Sequence, residues 1–164
     1  MRNLIAFPLL GVAVIVQSSV VSQMRLISGY ADLLLIMLAA WALQERVESS
    51  WHWAALICIM IGFVSKMPWI VGVLGYSSVV FLARVLQRRV WQAPLLAMFS
   101  VTFAGTILMQ IVSFLVLRIS GAPYSFGDVI GLILLPSLLL NMLFAIPVYT
   151  FMRDLANWVY PSME

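Results

Sequence analysis

Residues 94–117 read PLLAMFSVTFAGTILMQIVSFLVL, twenty-four positions without a charge. About 20 consecutive apolar residues cross the roughly 30 Å hydrocarbon core of a bilayer as a helix, so this stretch reads as a membrane span. Its apolarity is continuous rather than alternating, and it is too long for a barrel strand. Five further runs have the same character, over about 4–21, 31–43, 51–64, 69–86 and 129–152. The expected fold is an all-α integral membrane protein with six transmembrane helices in one polytopic domain, residues 1–164. The runs at 31–43 and 51–64 are short for spans, and tilted or partly re-entrant courses are open for both.

Composition supports this reading. The chain is 64% hydrophobic and 9% charged, and the surface of a water-soluble domain needs more charge than that. Six spans leave no room for a soluble catalytic or receptor domain. The net charge of +3 comes from Arg residues at span ends, which read as topology signals and anionic-lipid contacts rather than a nucleic-acid surface. With the N-terminus cytoplasmic, Arg2, Arg46, Arg84, Arg88, Arg89 and Arg153 fall inside and Arg25, Lys66 and Arg118 outside. That balance favours both termini in the cytoplasm. Arg2 and the following apolar run resemble a signal peptide, but no small-x-small cleavage site follows, so a retained first helix is expected. The single cysteine, Cys58, has no disulfide or metal partner and reads as a small apolar residue.

Residues able to carry chemistry are scarce. Asp32 and Asp128 lie at predicted helix starts and Glu45 and Glu48 in a loop, so no carboxylate is expected mid-span. No His-Glu-x-x-His helix is present, and no paired acid and base at depth. Proton-coupled pumps and drug exporters ordinarily use an intramembrane acid or histidine. The expectation is therefore a protein without enzymatic activity, metal or cofactor. His52, between Trp51 and Trp53, reads as an interfacial aromatic, with a substrate contact as the alternative.

The remaining polar residues are arranged, not scattered. Gln17, Ser18 and Ser19 cluster toward the end of the first span, where they either tie helices together or meet a ligand or subunit. Asp32 can cap the second helix or anchor another subunit. Thr102, Thr106, Gln110 and Ser113 share one face of the fifth span, which packs on a helix or lines a ligand site. In the sixth, Pro136 and Pro147 each remove a backbone donor, with Ser137 and Asn141 between them. Gly127 and Gly131 have the small-xxx-small spacing that permits close helix approach.

The stretch Leu135-Pro136-Ser137-Leu138-Leu139-Leu140-Asn141-Met142-Leu143-Phe144-Ala145-Ile146-Pro147-Val148-Tyr149 resembles the last helix of the rod shape-determining MreD family. Val16-Gln17-Ser18-Ser19 is similar to that family's Gln-Ser element, and Ala31-Asp32-Leu33-Leu34-Leu35 to its Pro-Asp-Leu-Leu element. The chain departs from the pattern at Ala31, where the family has proline, and at Gly62-Phe63-Val64-Ser65-Lys66, where the family's Asp is missing. The resemblance implies a fold similar to the six-helix substrate-binding subunits of energy-coupling-factor transporters. It also implies a scaffold of the elongasome, which builds lateral peptidoglycan and maintains rod shape. The implied partners are the transmembrane and juxtamembrane part of MreC, through it RodA and a class B penicillin-binding protein, with MreB filaments, membrane lipids and a second copy as further contacts. Gln17, Ser18, Asp32, Pro136, Asn141, Pro147 and Tyr149 are then the expected partner-binding residues. A vitamin-type transporter subunit is the alternative; it would need an outward pocket dense in polar contacts.

Overall fold

The computed structural model describes residues 6–23, 26–45, 47–65, 67–87, 93–121 and 125–160. Among them are six helices: α1 (Ala6–Ser19, continued by a 3-10 turn at Val21–Gln23), α2 (Leu33–Ala42), α3 (Ser50–Val64), α4 (Trp69–Gln87), α5 (Pro94–Ile119) and α6 (Phe126–Val159). No strand is present among the described residues. By length and composition four helical stretches can cross a membrane: α1 with its 3-10 turn, α4, α5 and α6. α2 and α3, with 10 and 15 residues, are shorter. Of the basic residues weighed for topology, Arg2, Arg25, Arg46, Lys66, Arg88 and Arg89 lie outside the described residues, as do the loop's Pro123 and the tail's Pro161.

α2 is the hub. Every residue from Leu34 to Ala42 is buried, and α2 touches each of the other five helices. A helix that is apolar all round belongs inside a protein or a bilayer; this one is wrapped by its own chain. The outer helices each present one buried stripe at helical spacing: Leu10, Ala13 and Val14 on α1, Val71, Tyr76, Val79, Val80 and Ala83 on α4, and Asn141, Ala145, Tyr149 and Met152 on α6. Their opposite faces are apolar too. Phe7, Phe63, Leu96, Phe103, Leu139 and Leu143 point outward, while Thr102, Thr106, Ser113, Ser137 and Asn141 are buried. Apolar outside and polar within is the arrangement expected when lipid is the solvent.

The bundle has two distinct ends. At one, the connection between α1 and α2 meets that between α3 and α4, and Phe114 of α5 packs edge-on against Phe126 of α6 at 5.6 Å. At the other, Trp41 stacks on Trp53 at 4.3 Å with Tyr160 beside it. Here Arg84 donates to the Val47 carbonyl, to Ser50 Oγ at 3.0 Å and to Gln87. Sequence reading treated Arg84 as a topology charge; it also pins the α2–α3 connection to α4.

Two expectations change. α6 is one continuous helix to Val159, longer than the predicted 129–152, and Pro147 sits inside it without ending it. Its irregularity comes earlier, as a π-helical stretch at Val129–Leu134 directly before Pro136. Gly127 and Gly131 do not bring helices of this chain together, since a Cβ on either meets nothing within 4 Å. The close approach is at α4–α5 instead. A Cβ on Gly105 would lie 2.9 Å from Val79 Cγ2, and one on Gly75 would overlap the Met109 sulfur. Gly105→Leu should therefore destabilise the bundle by about 1–3 kcal/mol through overpacking against a stiff β-branched neighbour. Gly131→Leu should stay within about 0.5 kcal/mol. Melting curves of the two variants in one detergent compare them, and equal melting temperatures would refute this packing.

Candidate functional site: a polar junction and its cavity

Between α1 and α2 the chain makes a turn at Leu26–Gly29, closed by the Leu26 N–H to the Gly29 carbonyl and the Gly29 N–H to the Leu26 carbonyl, and then runs without helix to Asp32. The remaining backbone groups are taken up by α1 and α6 on alternate sides. The N–H groups of Ser28, Tyr30 and Asp32 donate to α6, to the Leu132 carbonyl at 3.2 Å, Ser137 Oγ at 3.2 Å and Asn141 Oδ1 at 2.7 Å. In between, the Ala31 carbonyl accepts from Gln17 Nε2 and the Leu33 N–H donates to Gln17 Oε1, both at 2.8 Å. An extended chain turns successive groups to opposite sides, so one side meets α6 and the other meets α1.

The registers match. From Tyr30 to Asp32 the non-helical chain advances about 6.6 Å. From Ser137 to Asn141 the helix advances about 6 Å. Pro136 contributes by omission: residue 136 would be the α-helical donor to the Leu132 carbonyl, proline has no N–H, and Ser28 supplies one instead. Gly29 contributes by lacking a side chain. A Cβ there would stand 2.7 Å from the Ile133 carbonyl oxygen and the Ser137 nitrogen. Sequence reading did not single out Gly29; only its place in a turn between spans pointed to it.

The junction continues inward. Asn141 Nδ2 donates to Thr106 Oγ1 at 2.8 Å, and Thr106 donates to the Thr102 carbonyl at 2.7 Å. The Asp32 carboxylate caps α2 by accepting from Leu35 N–H at 3.0 Å, and Tyr76 Oη of α4 lies 3.4 and 3.5 Å from its two oxygens. Thr106 stands at the midpoint of α5. This corrects the expectation that no carboxylate lies mid-span. Asp32 does start a helix, but that helix starts in the middle of the bundle.

Beside the junction is a cavity of about 450 Å³. Gln17, Asp32, Tyr76, Thr106, Gln110 and Asn141 line its floor and walls. Ser22, Ser28, Ser65 and Met67 mark its mouth, at the end where α1 and α3 stop and α4 begins. The α5 stripe thus does two jobs. Thr102 and Thr106 are buried against other helices, while Gln110 and Ser113 face the cavity.

Of the expected partner-binding residues, Gln17, Asp32, Pro136 and Asn141 meet at this junction, and Ser18 lines the cavity. Asn141 is only 1% exposed and Gln17 is half-buried, whereas Ser18 is exposed. Tyr149 is buried in the core. Pro147 lies on the outer surface among apolar side chains of α6. No group of three or more His, Cys, Asp or Glu that could hold a metal occurs among the described residues.

These features define an all-helical protein of membrane-spanning character with a polar, cavity-bearing interior. No protein-family model, curated protein or solved structure matches the chain.

Asn141→Leu strands the Asp32 N–H and takes away the donor to Thr106 Oγ1, and should cost about 1–3 kcal/mol. Gly29→Ala should cost a similar amount by pushing the extended segment off α6. Both should speed deuterium exchange at the Tyr30 and Asp32 amides while leaving those of α4 protected. Unchanged exchange at Tyr30 and Asp32 would show that these bonds do not hold the segment.

Proposed function

We propose that this chain is a non-enzymatic, six-span scaffold of the bacterial elongasome, of the MreD type, that holds MreC in the cytoplasmic membrane. What supports the reading is one convergence. The three stretches that carry the resemblance, around Gln17, around Asp32 and from Leu135 to Tyr149, are far apart in sequence and meet through hydrogen bonds at one junction.

In this reading the second crossing is composite. Residues 30–32 and α2 together reach about 25 Å, close to the thickness of the hydrocarbon core; non-helical backbone is tolerated at depth where protein buries it. The bundle is then of the kind found in the substrate-binding subunits of energy-coupling-factor transporters. Arg84 and Arg153 lie at the end away from the cavity mouth and Arg118 at the mouth end. The positive-inside rule then puts both termini in the cytoplasm and the cavity mouth outside.

The MreC helix is assigned to the outer face of α6, where Leu139, Leu143, Pro147 and Thr150 recur at helical spacing and are exposed. Co-expressed MreC should co-purify with this chain from a detergent extract, and failure to co-purify would overturn the reading. Replacing Leu139, Leu143 and Thr150 by Ala and Pro147 by Leu should reduce capture at least tenfold. Undiminished capture would remove the face but not the partnership.

The cavity favours a second reading, as the ligand-binding membrane subunit of a vitamin-type transporter. The outward pocket that this alternative requires is supplied by the interior of the bundle, not by the loops. Ligand retained through purification and identified by native mass spectrometry would support it.

A further inference from the structure

The floor of the cavity holds a carboxylate with capacity to spare. A helix N-cap needs one acceptor oxygen, and Ser, Thr or Asn serve as well as Asp. The Asp32 carboxylate meets the backbone N–H groups of Leu35 and Leu34 at the start of α2, and one of its oxygens lies 3.4 Å from the Tyr76 hydroxyl. Among the described residues no cation lies within salt-bridge distance of it. A charge at this depth is costly unless it is paired, so capping alone does not account for an acid here.

The surroundings select what pairs with it. Asp32 is the only formally charged side chain on the described lining. Gln110 also lines the cavity and makes no side-chain hydrogen bond among the described residues, so its amide is free to meet a guest. The remaining wall is largely apolar, with Leu35, Ile61, Val71 and Met109. Gly72 leaves room, since a Cβ there meets only Tyr76 Cδ2, at 4.0 Å. A volume of about 450 Å³ falls in the range of small-molecule pockets and is far larger than a bare metal ion requires.

We propose that this cavity binds a small organic cation, an ammonium group on an apolar body, with Asp32 as its counter-ion and Gln110 as a second polar contact. Tyr76 sits beside the carboxylate and offers its hydroxyl oxygen to the same group. The ligand enters by the mouth between Ser28 and Met67 and rests against the start of α2. The site rests on the cavity alone. MreC capture can succeed or fail without touching it, and absence of solute uptake into vesicles would set aside transport while leaving binding intact.

The test uses the full chain in detergent with two probes of equal shape, benzyltrimethylammonium and its neutral isostere neopentylbenzene. Titrations are followed by tryptophan fluorescence, which Trp69 on the cavity wall should report, and by the shift in melting temperature. The cation should bind at least tenfold more tightly than the isostere. Asp32→Asn, which keeps a capping acceptor, should weaken the cation at least tenfold and leave the isostere within twofold. Gly72→Leu, which fills the cavity, should abolish binding of both. A cation that binds no better than the isostere overturns the proposal without any variant. So does a loss of less than tenfold in Asp32→Asn. Should that variant fail to fold, cation binding by Gly72→Leu equal to that of the unaltered chain overturns it as well.

Discussion

A peptide group inside a bilayer has no water to turn to, and each one left unpaired costs several kcal/mol. Helices meet this demand by themselves. The segment from Ser28 to Leu33 does not, and the polar interior of this protein is organised around supplying it. Gln17 reads one edge of the segment; Leu132, Ser137 and Asn141 read the other. Pro136 and the π-helical stretch before it look like defects when α6 is taken alone. Beside the segment they are the means by which a helix carbonyl becomes available to an outside donor.

The same arrangement creates the cavity. Because the chain before it is not helical, α2 starts beside the middle of α5 and α6, so its capping carboxylate is carried into the centre of the bundle. An extended chain is also thinner than a helix, and the space that a helical turn would fill stays open between α1, α3, α4 and α5. Support of the backbone and an accessible polar interior are two results of one departure from helical geometry.

Much of this was legible in the sequence. The uncharged run at 94–117 and its companions gave the membrane class, and residue type marked Gln17, Asp32, Ser137, Asn141 and Pro136 as unusual in apolar surroundings. Their connections were hidden because the bonds join residues more than 100 positions apart, and no local pattern carries such information. The depth of Asp32 was hidden for a related reason: hydropathy sees an apolar run from 31 to 43 but not where in the bilayer it begins. Gly127 and Gly131 misled because their spacing says that an approach is permitted, not that a helix comes. Gly29 had no spacing partner, and its need for a missing Cβ arises only from the backbone of a helix a hundred residues later.

That sequence separation bears on how the fold holds together. Asn141 and Ser137 belong to α6, more than 100 residues after the groups they satisfy. Without α6, Tyr30 and Asp32 have unmet donors, and the short α2 lacks the partner that shares its widest contact. The non-helical segment and the start of α2 are thus completed by a distant part of the chain, so α6 and that segment hold or loosen together.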